Sequence, residues 1–184
     1  MSRGVQVVVV CEDLQHEVFI RAFLLARGFH PRSLRFKISP SGSGDAKKFV
    51  CAQFPVELKA IRSYGGENRV LLIMTDADNL SVNKRKKTVI DSCVRAKVKK
   101  PIATDPVFFF IPKWEIETWQ IYLAGDSTDE NEKNNKKLDQ ESEAYPLAEK
   151  LAKMCAANAL TPTPPSSLEV ACAEYGRLKE FIES

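Results

Sequence analysis

Histidine is nearly absent. The 184-residue chain has two, His16 and His30, too few for a histidine-built zinc site. Long apolar runs are missing too. The longest, Val7 to Cys11 among them, have five residues, far short of the ~20 a membrane helix needs. That run is also too short for a secretory signal, and Glu12-Asp13 follows it at once. The expected setting is therefore cytoplasmic, without a membrane. No CxxC pair occurs among Cys11, Cys51, Cys93, Cys155 and Cys172, which excludes a zinc ribbon and a thioredoxin motif. Their odd number and wide spacing read as reduced, mostly buried thiols. The GxxxxGK[ST] spacing of a P-loop is absent, and so is any internal repeat.

What remains is an ordinary globular composition, 44% hydrophobic and 28% charged, long enough for one domain that needs no metal or disulfide to fold. The net charge of +3 hides an asymmetry. Residues 126–143 carry seven acids and three lysines, a local −4, so the rest of the chain carries +7. Part of that excess is the run Lys84-Arg85-Lys86-Lys87, followed by Arg95, Lys97, Lys99 and Lys100. A basic surface of this kind meets a polyanion by releasing counterions, although a solvated face is the commoner use of such a run.

Three short apolar runs, Val5 to Cys11, Val70 to Met74 and Val107 to Ile111, read as buried strands, and Leu34 to Ile38, with Leu34, Phe36 and Ile38 alternating against Arg35 and Lys37, reads as a fourth strand. Helical spacing falls between and after them. It covers the stretch from Asp13 to Gly28, Ala46 to Ser63 with a start or kink expected at Pro55, Lys86 to Val98, and Trp114 to Leu123. Two further helices follow, Pro146 to Ala159 and one opened by a capping box at Ser166-Ser167-Leu168-Glu169. Strands alternating with helices predict an α/β domain, Rossmann-like, with a mainly parallel sheet of about four strands and a helical C-terminal extension. The organisation read from this is a core domain over 1–124, an acidic mobile loop over 125–143, and helices over 144–184 packed on the same domain.

The carboxylates fall at informative positions. Glu12 ends the first strand, Asp76 and Asp78 follow the third, and Glu115 and Glu117 come a turn after the fourth. Ligands of open parallel sheets bind outside the strands' carboxyl ends, so neighbouring strands would bring these acids into one crevice. Asp76 and Asp78 in an extended segment project from one face with α-carbons ~6.6 Å apart. Two carboxylates ~4 Å apart repel by about 4 kcal/mol at an effective dielectric of ~20, so such a cluster takes up protons or a cation. An all-oxygen set favours magnesium, manganese or calcium over zinc. Each acid also has a plainer use: Glu12-Asp13 at a helix start, and Asp76-x-Asp78 as a turn. Glu115 and Glu117 cannot share one helix face; Glu117, beside Ile116 and Trp119, is the better inward candidate.

Glu12 after a hydrophobic strand, a following helix, the Gly42-Ser43-Gly44 loop and Asp76-Ala77-Asp78 after a third strand together resemble the TOPRIM fold over roughly residues 5–123. Cys11-Glu12 through Glu17-Val18-Phe19-Ile20 looks like the small nuclease-like branch. Ile116-Glu117-Thr118-Trp119 is similar to a motif of small stand-alone TOPRIM proteins, several of them phage-defence proteins of the overcoming-lysogenisation-defect type. Two positions depart from that pattern: Asp13 stands where the family usually has glycine, and His16 where many relatives carry an acid.

The resemblance implies a magnesium- or manganese-dependent nuclease acting on DNA or RNA. Glu12, Asp76 and Asp78 would be the metal ligands, Glu117 an outer or second-ion ligand, and Glu17 a group orienting the attacking water. Phosphate contacts are expected from Gly42, Ser43 and Gly44 at a helix start, from Lys47, from Lys84, Arg85, Lys86 and Lys87, and from Lys113. An ATPase partner and a homo-oligomer enter by analogy with defence systems. The competing reading is a non-catalytic nucleic-acid- or partner-binding TOPRIM module.

Overall fold

Alternation within the apolar runs decides the layering. A computed structural model of the chain describes residues 4–40, 45–63, 68–133, 138 and 140–183. Strand β1 (Gln6–Cys11) pairs in parallel with β2 (Leu34–Ile38) on one side and β3 (Arg69–Met74) on the other. Strand β4 (Val107–Phe110) pairs in parallel with β3, giving the order β2-β1-β3-β4. Val7, Val9, Cys11, Val70, Leu72, Met74, Phe108 and Phe110 face one core. Their alternates Val8, Val10, Leu71, Ile73, Val107 and Phe109 face a second core. A strand covered on both faces has no polar side to show, which is why these segments read as continuous apolar runs.

Helix α1 (Leu14–Ala26) packs on the first face. So do α4 (Ile116–Ala124), α5 (Ala144–Ala157) and α6 (Ser166–Glu183). Helices α2 (Ala46–Ser63) and α3 (Val82–Arg95) cover the other face. The fold is thus α/β with an all-parallel, Rossmann-like sheet. The outer edge of β4 is closed by a side chain: the Phe109 amide donates to Glu174 Oε2 at 3.0 Å, and Arg177 and Lys86 neutralise Glu174 at 2.8 and 3.5 Å.

Several expectations need correction. Helix α2 runs through Pro55 without a break. Phe54, Leu58 and Ile61 bury on both sides of the proline, and that burial outweighs the one intrahelical hydrogen bond a proline removes. Helix α3 starts at Val82, not Lys86, because the Ser81 hydroxyl caps it by accepting from the Lys84 amide at 3.2 Å. The basic run therefore lies inside a helix rather than ahead of one.

The acidic stretch is not wholly free. Glu130 accepts the amides of Ser166 and Ser167 at 2.9 and 3.1 Å and both of their hydroxyls. A distant carboxylate thus caps α6, in place of a box closed by Glu169. Trp114 Nε1 donates to the Asn131 carbonyl at 2.7 Å.

The cysteines are also not all free. Cys155 and Cys172 form a disulfide between α5 and α6, with α-carbons 5.3 Å apart, a spacing the bond accepts. Cys11, Cys51 and Cys93 remain thiols. The 17-residue separation of Cys155 and Cys172 hides the pair in the sequence. The pairing removes the thiol argument for a cytoplasmic setting. Among the described residues no helix is long and apolar enough to cross a membrane.

Loop closure of this length is worth about 3 kcal/mol. Cys155→Ser is expected to lose about that much unfolding free energy in non-reducing denaturant titrations and to match wild type once reductant is added. Equal stability without reductant would contradict the bridge.

Candidate functional site

All four strands point the same way, so their carboxyl ends share one edge. The chain leaves β1 for α1 on one face and β3 for α3 on the other, which makes the β1–β3 gap the switch point where α/β sheets open a crevice. Glu12 and Asp76 follow these two strands directly.

Glu12 is 6% exposed. Its Oε1 accepts the Thr75 hydroxyl and the Asp76 amide, the latter at 2.9 Å. Asp76 Oδ1 lies 3.1 Å from Nε2 of His16, which is fully buried in the first turn of α1. Asp78 Oδ2 accepts from Arg85 at 2.9 Å, and Lys47 Nζ lies 3.0 and 2.8 Å from the two Asp78 oxygens. The same ammonium is 3.8 Å from Glu12 Oε2. The three predicted acids thus form one chain of contacts, joined by the Asp76 amide and by Lys47.

Local backbone fixes this arrangement. Asp78 has φ 51 and Trp114 φ 62, and the two residues form an isolated antiparallel bridge. Ala77 N donates to Pro112 O at 2.8 Å and Asp78 N to Trp114 O at 3.0 Å. A left-handed conformation suits an aspartate and costs a tryptophan, so the loop after β4 bears strain where it holds the loop after β3. Lys113 ties the same loop down through the carbonyls of Asp78 and Leu80 at 3.3 and 2.8 Å.

The electrostatics follow from burial. Burial raises the Asp76 carboxyl to about 6 against the opposing charge of His16. Burial alone would lower His16, but the charge and hydrogen bond of Asp76, with Asp13 and Glu12 behind, override it and raise the imidazole to about 10. The pair is therefore ionised at neutral pH. Burial also opposes the Lys47 charge, and the Asp78 hydrogen bond with the nearby carboxylates outweighs it, holding the ammonium above its ordinary value. Cys11 is pushed far up, by burial first and then by Glu17, Asp13 and Glu12, so it is no nucleophile.

The other predicted residues are placed as follows. Glu17 accepts from Arg21 on its own helix, and Arg21 stacks on Phe36 at 4.1 Å; among the described residues Glu17 has no hydrogen bond to Glu12, Asp76 or Asp78. Glu117 is 4% exposed in α4 and has no hydrogen bond to the acids among the described residues. Asp13 caps α1 by accepting the His16 amide at 2.9 Å. Trp119 is core, its Nε1 donating to Ser167 at 2.8 Å.

The basic run fans out around α3. Arg85 turns in to Asp78, Lys86 turns to Glu174 and the Phe109 ring, and Lys84 and Lys87 stay exposed. Successive helical residues are ~100° apart, so they cannot form one track. Gly42, Ser43 and Gly44 lie outside the described residues. His16 and Thr75 are the site residues sequence reasoning missed. The available signal was His16's place one helical turn after Glu12.

Three carboxylates at strand ends fit a hard divalent cation in donor chemistry, and the Lys47 ammonium shows that the crevice accepts positive charge between Glu12 and Asp78. The set is not a closed cage: among the described residues no three His, Cys, Asp or Glu side chains converge on one point. Each acid instead faces a protein donor. The chain matches no family model, no curated protein and no solved structure.

The His16 shift predicts a pH signature. A folded value of about 10 against 6.5 unfolded stabilises fully below about 6.5, and the contribution fades as pH rises toward 10. The Asp76 contribution, with a folded value of about 6 against 3.8, favours the fold only at acid pH and is gone by about 6. Urea unfolding in chelator should therefore show wild-type stability falling from pH 6.5 to 10, with a shallower fall in His16→Gln. Identical slopes would refute the pair.

Proposed function

We propose that this chain is a divalent-cation-dependent phosphodiesterase of the TOPRIM type, acting on DNA or RNA. One observation carries the reading: Glu12, Asp76 and Asp78 gather from the ends of two neighbouring parallel strands at the sheet's switch point. These three would hold magnesium or manganese, which polarises a phosphoryl oxygen and acidifies a water.

The chain's own groups have separable tasks in this reading. Thr75 and the Asp76 amide orient Glu12. His16 orients Asp76, and Arg85 orients Asp78. Lys47 gives up its place between Glu12 and Asp78 and turns to a phosphate oxygen, a short swing for a flexible, partly exposed side chain. Water is the nucleophile, since among the described residues no activated serine, tyrosine or cysteine stands beside the acids. Glu17 and Glu117 have no part in the first contacts.

A specific observation favours the second reading, a binding module without turnover. Lys47, Arg85 and His16 already neutralise the acids, so the cluster is also self-sufficient as a structural ion network.

Cleavage of labelled single- and double-stranded DNA and RNA in magnesium, manganese or chelator separates the two. The nuclease reading expects metal-dependent cleavage by wild type. It expects losses of roughly 100-fold or more in Asp76→Asn and Glu12→Gln, since even outer-shell partners typically cost 10–100-fold. Glu12→Gln should unfold near the wild-type midpoint, and Asp76→Asn earlier, because it strips the charge that holds His16 ionised; both are assayed well below their midpoints. Cleavage unchanged in either variant, or wild type that neither cleaves nor binds metal, favours the module.

A further inference from the structure

A groove of about 660 Å³ opens between α2 and α3, beside the acids. Its lining includes Lys47, Lys48, Arg85, Arg95 and Thr88, and four cations there face one carboxylate, Asp45. Its volume lies within the roughly 300–1,000 Å³ of ligand clefts, and its floor mixes Cys51, Ala52 and Pro55 with the four cations.

The placement of these cations is ordered. Both helices begin at the carboxyl edge of the sheet, so Lys47 and Arg85 stand at the groove's upper end, where they touch Asp78. Arg95 closes the last turn of α3. Arg85 to Arg95 covers about 15 Å of helix axis at ~1.5 Å per residue. Lys48 and Arg95 are exposed. Arg85 is 8% exposed, and its Nε is buried without a hydrogen-bond partner among the described residues. Leaving such a donor unmade is costly, and Arg85 is one of the residues that line the groove. A lone phosphate calls for donors that converge on a point. These are strung along two helices instead, the arrangement that tracks a polyanion.

We propose that the α2–α3 groove binds consecutive backbone phosphates of a nucleic-acid strand whose scissile bond lies at the Glu12–Asp76–Asp78 cluster. Lys47 and Arg85 meet the phosphate nearest the acids, and Lys48 and Arg95 meet those further along. The strand's direction rests on the phosphodiesterase reading; the groove's affinity for phosphates does not. Neither Lys48 nor Arg95 contacts the three acids, so both can be changed without touching the cluster.

The test is fluorescence anisotropy with a labelled single-stranded oligonucleotide in chelator across a salt series, so that cleavage plays no part. The Lys48→Gln/Arg95→Gln double variant is compared with Lys153→Gln/Lys179→Gln, which removes equal charge from the exposed faces of α5 and α6. The groove variant should lose about tenfold or more in affinity, and its log K against log salt slope should shrink by about 1.4, near 0.7 per lost phosphate contact. The control should bind like wild type.

Inorganic phosphate should compete only at concentrations orders of magnitude above the strand. A groove variant that binds as wild type does, an equal loss in the control, or inorganic phosphate competing as well as the strand would each overturn the proposal. Wild type that binds through the groove yet never cleaves in magnesium would keep the groove and remove the nuclease reading. Cleaving wild type with an indifferent groove variant would do the reverse.

Discussion

Carboxylates at the ends of two neighbouring parallel strands are held together by the sheet whether or not they repel. Strands β1 and β3 are in register through Cys11 and Met74, so the residues that follow them cannot move apart without breaking the ladder. Glu12 and Asp76 are buried or nearly so, and low local dielectric makes their mutual repulsion expensive. Positive charge has to reach this point. It does so from three helices: His16 on α1, Lys47 on α2 and Arg85 on α3. Those helices lie on opposite faces of the sheet, so the charge cluster ties the two layers together where the sheet itself opens.

The same constraint connects stability with function. A site whose acids are already matched by protein cations needs no further ion to be stable, and in the proposed reading one of those cations gives way to a metal. Lys47 is the exchangeable member: its side chain is about a third exposed, against 9% for Arg85 and none for His16. Arg85 and His16 hold the acids in place while Lys47 is free to leave. The groove below Lys47 continues the positive charge away from the acids, so an incoming phosphate strand would meet the counter-charge that the acids need not keep.

Much of this was legible in the sequence. A run such as Val-Val-Val-Val-Cys can be satisfied only where both faces are covered, and Glu12, Asp76 and Asp78 stand out because they interrupt such runs at their ends. Contacts between distant elements were not legible. His16 looks like a lone core histidine until α1 sets it beside Asp76. Glu130 looks like one acid in a solvated stretch until it caps α6, and Cys155 and Cys172 look unrelated until the fold brings their α-carbons within 5.3 Å. The basic run misled for another reason. Four consecutive basic residues read as one patch in the sequence, and the Ser81 cap places them on a helix that spreads them around its axis. The fold followed from local patterning, and the site's partners from topology that local patterning does not carry.

The central claim is that Glu12, Asp76 and Asp78 act as one cation-binding unit whose resident cation is Lys47. Titration of manganese, followed by the loss of its free-ion paramagnetic resonance signal, tests this without any substrate. The account predicts saturable binding by wild type, abolished in Asp76→Asn and tightened in Lys47→Met, where the competing ammonium is gone. Binding that is absent from wild type and Lys47→Met alike, or indifferent to Asp76→Asn, would contradict it.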